Sequence, residues 1–318
     1  MKKLLQGIGS PTQFITHLGC IKACLDYLGV QVPLAWLYGG TGHAFINNIH
    51  RDLCPSGPTA WRTIMLSQLA PNLGYRTPCV FGWRDELGES FRDKQREAYD
   101  FTRTAIDSGI PCFGWQLEVP DFYVICGYDE VGYYFSGYGE LGKGPLPWDC
   151  LGGWDVALIE VYRVELGPPA PDDRVVKEGI EAALRFAEGP EDWVFPGYTA
   201  GPAGFERWAE ALQSGRASRD GHTYNAQCWG ECRSLAVEFL AAAKECLPGR
   251  CDRAFDDARA AYTRSRDALA AMVALHPPRQ AMDFSTPLQS DEAAGLAREV
   301  AAAERDGLAC LARIATAL

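Results

Sequence analysis

The sequence predicts an α+β domain followed by an all-α helical domain. Three observations predict it: a length of 318 residues, a sharp change of composition at Gly167-Pro168-Pro169-Ala170-Pro171-Asp172, and a switch there from short apolar runs to long helical periodicities. At roughly 150 residues per domain the chain holds about two. The proline-rich segment supports neither a helix nor a strand ladder, so it divides the chain into 1–167 and 172–318. Hydrophobic residues at 47% and charged residues at 22% are the proportions of a chain that folds.

In the first domain glycine, aromatic and β-branched residues dominate. The stretch from Gln13 to Gly29 reads as a short helix that the Gly19-Cys20 step opens and Gly29 ends, which places Cys20 in the first turn. Gly39-Gly40-Thr41-Gly42-His43 follows as a flexible loop leading into the strand-like Ala44-Phe45-Ile46. The run Cys54-Pro55-Ser56-Gly57-Pro58-Thr59-Ala60-Trp61 reads as a turn that starts a helix, with Thr59 as its cap. Pro111 to Trp115, Phe122 to Cys126 and Val156 to Val161 are apolar runs too brief for helices and bounded by turn residues, so they are expected to be strands of one sheet.

Beyond the linker, alanine and charged residues take over. Phe205, Trp208 and Leu212 mark a short helix, and Trp229, Cys232, Leu235 or Ala236, and Phe239 a longer one. Phe255, Ala258, Tyr262, Ser265, Leu269 and Met272 recur at spacings of three and four, as do Leu296, Val300, Ala303, Gly307, Leu311 and Ile314. His276-Pro277-Pro278 stops the first of these two helices. Helices with one apolar stripe each need a shared core, and the expected arrangement is an antiparallel bundle.

Charge and cysteine usage narrow the function. With 30 Lys and Arg against 41 Asp and Glu, the net charge is −11, and no basic block appears, so nucleic acid and anionic membrane are not expected as main partners. No run approaches the roughly 18 apolar residues of a membrane span, and the start of the chain loses its apolar character at once, which leads to the expectation of a cytoplasmic protein. The 12 cysteines are spread through a long chain and do not read as a disulfide framework. Cys20 with Cys24, and Cys228 with Cys232, share helix faces without zinc-knuckle spacing, and the helix after Cys228 keeps Cys246 and Cys251 from folding back onto that pair. No metal is expected. Gly39-Gly40-Thr41-Gly42 lacks the Gly-Lys-Ser or Gly-Lys-Thr ending of a phosphate loop, and no cofactor is expected either.

The segment around Cys20 is where chemistry is expected. A thiol in a first helical turn faces unpaired N–H groups and the positive end of the helix dipole, both of which favour thiolate. Gln13 lies just upstream, where a side-chain amide could help form an oxyanion hole. Cys20 and Cys24 could equally be core residues on the buried face of the helix.

Cys20, Ala23-Cys24 and Tyr27-Leu28-Gly29, followed by Trp36-Leu37-Tyr38-Gly39-Gly40-Thr41-Gly42-His43-Ala44-Phe45, resemble the amino-terminal domain of the butirosin biosynthesis protein H family. That domain in turn resembles the C39-like, papain-like cysteine peptidases. Gly109 to Trp115, then Phe122-Tyr123-Val124-Ile125-Cys126-Gly127-Tyr128-Asp129, resemble the paired strands of that fold and its Gly-Tyr-Asp turn. The resemblance covers roughly residues 10–165. It implies a papain-like first domain with a nucleophilic cysteine at the start of the first helix, the position of Cys20. It also implies a histidine at the head of the strand before Gly-Tyr-Asp, where this chain has Asp121-Phe122-Tyr123. The third member of the triad, Asp or Asn, is expected near Tyr134-Phe135-Ser136-Gly137, which offers no carboxylate or amide.

The base must then come from another histidine. His43, in the glycine-rich loop that relatives place near the active cysteine, is the preferred base. His17 precedes Cys20 by three residues and could contact it or cap the helix; with Asp121 and Tyr123 it is a candidate for the substrate cleft. His50, alternating with Asn48 on an apparent strand, is weaker, and His222 and His276 read as structural. The first domain also holds Trp36, Trp61, Trp83, Trp115, Trp148 and Trp154, aromatic surface for a core or for an apolar ligand cleft.

Two functions follow. One is a cysteine-dependent acyl hydrolase or acyltransferase with Cys20 as nucleophile, acting on a small-molecule, peptide or carrier-bound acyl substrate. The other is an inactive papain-like binding module that holds a peptide or small metabolite in the former active-site cleft. An assembly role for the helical half, with homo-oligomers, is a third.

Overall fold

The computed structural model describes residues 2–137, 142–154 and 156–318. They form two compact units, each discontinuous in sequence: Met1–Val32 with Gly74–Pro168, and Pro33–Leu73 with Pro169–Leu318. The segment Pro33–Leu73, expected within a continuous first domain, therefore belongs with the helical unit.

In chain order, β1 (Lys3–Leu4) and α1 (Thr16–Tyr27) open the first unit. The second unit then takes α2 (Leu34–Gly40), a 3₁₀ turn at His43–Phe45, β2 (Asn48–His50) and α3 (Ile64–Leu69). The chain returns to the first unit through β3 (Tyr75–Arg76), β4 (Cys79–Trp83), α4 (Arg84–Leu87), α5 (Phe91–Asp107), β5 (Cys112–Trp115) and β6 (Phe122–Tyr128). It completes that unit with β7 (Gly132–Ser136), β8 (Lys143–Pro147), β9 (Leu158–Arg163) and β10 (Glu165–Leu166). After the prolines come α6 (Asp172–Ala187), β11 (Tyr198–Ala200), α7 (Gly201–Gln213), β12 (Ala217–Ser218) and α8 (Arg219–Cys246). The chain ends with α9 (Asp252–Leu275), β13 (Pro287–Leu288) and α10 (Asp291–Ala317).

The main sheet of the first unit has the order β4-β9-β5-β6-β7-β8, with β1 beside β6, and all its pairs are antiparallel. Alternation sorts its residues onto two faces. Phe113, Phe122 and Tyr162 share the face on which α1 lies, and the ring of His17 packs against all three. Tyr128 and Tyr133 share the other, against Tyr99 of α5. The expected strands at Pro111–Trp115 and Phe122–Cys126 are β5 and β6. The third begins at Leu158 rather than Val156, because Ala157 adopts a left-handed φ of 47° and bonds back to the Trp154 carbonyl.

In the second unit α9 packs between α8 and α10, and α10 also packs on α7. The residues predicted as stripes form its core: Trp208, Trp229, Phe239, Phe255, Tyr262, Leu269, Met272 and Leu311 are fully buried. Each such side chain contributes about 1.5–3 kcal/mol of transfer free energy.

The glycines of α2 explain why Pro33–Leu73 joins this core. A Cβ at Gly39 would lie 2.1 Å from the Phe239 ring, and one at Gly40 would lie 2.8 Å from Leu73 and Val175. They permit close packing rather than flexibility, and β2 pairs with β11 to fix the segment further. His43 accordingly starts a 3₁₀ turn, not a mobile loop before a strand, and the strand begins only at Asn48. Thr63, not Thr59, stands before α3.

Candidate functional site

Cys20 and His17 stand on α1 and Asp121 at the head of β6, while Gln13 precedes the helix. The helix begins at Thr16, so Cys20 is its fifth residue, one turn further in than the Gly-Cys step implied. The N–H groups left without helical acceptors therefore lie before Cys20. The helix starts early because Gly19 is an interior helical residue: a Cβ there would lie 2.9 Å from both Pro11 Cβ and Gln13 Oε1. Gln13 thus lies against the helix at Gly19. Its carboxamide, however, is engaged locally, donating from Nε2 to Thr12 Oγ1 at 2.8 Å and accepting the Thr12 N–H at 3.3 Å.

Asp121 occupies the place where the resemblance puts a histidine. Its Oδ1 accepts the Thr16 hydroxyl and, at 2.9 Å, the Phe122 N–H. The Phe122 N–H also reaches Thr16 Oγ1 at 3.2 Å, so Thr16 ties the helix start to the strand head. Burial raises the Asp121 pKa to about 6, although both hydrogen bonds favour the carboxylate.

Cys20 is fully buried. Burial pushes its thiol well above its usual value, and Cys24 and then Asp121 push it further in the same direction. This reverses the expectation of a thiolate. Cys24 behaves as a core thiol, 3.9 Å from the Cys112 carbonyl.

His17 lies in the aromatic layer beneath α1, with ring centroids 4.2 Å from Phe122, 5.2 Å from Phe113 and 5.5 Å from Tyr162. Tyr123, expected with it in the cleft, falls on the opposite face of the sheet, because neighbouring residues of a strand alternate. There it packs on Phe135 and its hydroxyl accepts the Val119 N–H at 3.0 Å. Burial raises the Tyr123 pKa to about 12.

His43 belongs to the second unit and is buried in its core. Its Nδ1 is 3.8 Å from Cys232 Sγ, and its ring packs against Trp61 and Tyr38. Burial lowers its pKa to about 3, so it is neutral, and its Nε2 has no partner among the described residues. The imidazole expected to serve Cys20 is therefore bonded to a different thiol. In the sequence Cys232 reads as part of an apolar stripe and as the helix-face partner of Cys228, with nothing to pair it with His43. Thr16, a hydroxyl one turn before Cys20, carries no motif that marks it in the sequence.

No protein-family model matches the chain, and no curated protein sequence matches it. Among the described residues no helix is long and apolar enough to cross a membrane. Among the same residues no group of three or more His, Cys, Asp or Glu side chains is arranged to hold a metal ion.

Proposed function

We propose that this chain is a papain-related protein, similar to the butirosin H amino-terminal and C39-like domains, that binds a peptide or small metabolite without using Cys20 as a nucleophile. One observation carries the reading: a carboxyl group, Asp121, stands beside Cys20 in the place of the catalytic base. Thiol acyl transfer needs the sulfur charged and a group that can take its proton. A buried carboxyl supplies no cation, and its own charge opposes the thiolate. The helix packed on an antiparallel sheet, with Asp121 and Cys20 brought together, supports the papain-like part of the reading.

A second reading, cysteine-dependent acyl transfer, draws support from Gln13 lying against Gly19, the residue before Cys20. One experiment separates the two. Native protein is treated with iodoacetamide near pH 6.5 and with S-acetylpantetheine, a small model of a carrier-bound acyl group, and Cys20 is followed by mass spectrometry. Under the binding reading Cys20 stays unmodified until denaturant is added, while Asp121→His, which puts an imidazole beside the sulfur, increases its labelling. Acylation of native Cys20, with thiol release abolished in Cys20→Ala, would establish the acyltransferase instead.

A further inference from the structure

The main sheet of the first unit ends on two edge strands, β4 and β8, and they are built differently. β8 carries Lys143, Pro145 and Pro147, residue types that keep an edge from pairing with another chain. β4 reads Cys79-Val80-Phe81-Gly82-Trp83, with no charge and no proline, and it follows β9 without a bulge. Phe81 is 47% exposed, its ring lies 6.1 Å from that of Trp83, and Cys79 on the same face is exposed too.

The ladder shows which backbone groups of β4 are open. The Arg163 N–H donates to the Pro78 carbonyl at 3.1 Å, and the Arg84 N–H donates to the Ala157 carbonyl at 2.9 Å. Pro78 and Arg84 therefore bond toward β9, and in an antiparallel ladder Val80 and Gly82 between them do the same. Cys79, Phe81 and Trp83 then aim their N–H groups and carbonyls away from the sheet. None of these groups has a backbone partner among the described residues.

The flanks of the strand carry charge of opposite sign. Arg76 precedes it, and Asp85 and Glu86 follow it; all three are exposed. Among the described residues none of the three side chains has an ion pair or a hydrogen bond, whereas Arg84 between them is held by the Gly152 carbonyl.

We propose that β4 is a self-association edge, to which a second copy of this chain adds its own β4 in antiparallel orientation about a two-fold axis at Phe81. Phe81 and the second copy's Phe81 exchange N–H···O=C bonds, and Cys79 does the same with the second copy's Trp83, so every outward group is satisfied. The side chains fit the same axis. On one face the two Phe81 rings meet, and each small Cys79 stands opposite an indole; on the other face Val80 stands opposite Gly82. The charges identify the occupant and its direction. Arg76 and Glu86 lie equally far from Phe81 in sequence, so the two-fold brings Arg76 of each copy toward Asp85 and Glu86 of the other. Parallel addition would set like charges together.

Sedimentation velocity of the intact protein from about 1 to 200 µM, the range of small interfaces, is expected to show monomer passing into dimer. Hydrogen exchange in the peptide spanning Cys79 to Trp83 is expected to slow over the same range. Phe81→Lys places two ammonium groups together at the axis and is expected to weaken the dimer about a hundredfold. Arg76→Glu, a surface change that leaves the strand intact, is expected to weaken it about threefold at low salt. Adding Asp85→Lys and Glu86→Lys to that variant exchanges the charges on both flanks and is expected to restore association, a rescue open only to a partner with the same residues. Monomer throughout the range, a dimer that Phe81→Lys leaves unchanged, or a charge exchange that fails to restore association would each overturn the proposal. None of these outcomes bears on Cys20.

Discussion

Cys20 and Cys232 stand on the buried faces of two helices, one in each unit, and each has a titratable partner of a different kind. Beside Cys20 is a carboxyl whose charge opposes the thiolate. Beside Cys232 is an imidazole that burial has stripped of its charge. Neither arrangement separates charge, because burial acts on both members of each pair and favours the neutral form of both. A thiol's position on a helix is thus a weak guide to its reactivity. What decides it is whether the surroundings supply a cation or donors that are themselves satisfied.

Where the second unit does bury separated charge, the largest effect is expected. Arg233 donates to Glu304 at 2.7 and 2.9 Å and to the carbonyls of Ala44 and Ile46, and Ser265 donates to the same carboxylate. Both charged side chains are essentially inaccessible. Removing one partner leaves the other buried and uncompensated, so Glu304→Leu should cost about 3–5 kcal/mol in urea unfolding. Arg233→Met combined with Glu304→Leu should cost less than Glu304→Leu alone. A single-variant loss below about 1 kcal/mol would mean that this pair, too, is effectively neutral, and the contrast with the thiol pairs would disappear.

This ion pair also shows which parts of the molecule the sequence could reveal. Arg233 reads as one more residue of an amphipathic helix, and its acceptors at Ala44 and Ile46 lie nearly two hundred residues away in sequence. Local periodicity made β5, β6 and the long helices legible, because their burial pattern repeats within each element. It could not show that Pro33–Leu73 leaves the first unit, since that depends on Gly39 meeting Phe239. The same glycines make the loop before His43 look flexible in the sequence, whereas it is closely packed. Near Cys20 the error was one helical turn: Gly19 resembles a helix boundary, and only the packing of Pro11 and Gln13 against it places it inside α1.

A smaller effect, opposite in sign for the two sites, is expected from pH. His43 has a native pKa of about 3 against 6.5 in the unfolded chain. Below 6.5 the unfolded chain takes a proton that the native state refuses, so the His43 contribution is present above 6.5 and is lost as pH falls toward 3. Asp121 runs the other way, with a native value of about 6 against 3.8 unfolded. The native state holds that proton longer, so the Asp121 contribution is present below 3.8 and is lost as pH rises through 6. His43→Gln should therefore flatten the acid side of the stability profile, and Asp121→Asn should gain on the wild type between about pH 4 and 6. At about 1.4 kcal/mol per pH unit, the Asp121 effect is of order 2 kcal/mol. Urea midpoints at pH 4, 5, 6 and 7 measure both. Profiles parallel to the wild type for both variants would show that the two sites do not differ in this respect.

The smallest effect is expected at Gln13, and it bears most directly on whether the Cys20 site is a catalytic one. Among the described residues the Gln13 side chain bonds within its own turn, to Thr12, and those bonds are exposed. Exposed local hydrogen bonds contribute little net stability, so Gln13→Ala should change the unfolding free energy by no more than about 0.5 kcal/mol. Under the binding reading it should also leave the response of Cys20 to S-acetylpantetheine unchanged, because no oxyanion forms there. An oxyanion donor behaves differently: its removal lowers turnover by about a hundredfold or more while leaving stability alone. Gln13→Ala measured for both stability and thioester turnover thus separates a surface residue that packs on Gly19 from a donor that moves into place only when substrate arrives. A loss of turnover without loss of stability would return Cys20 to the role of nucleophile.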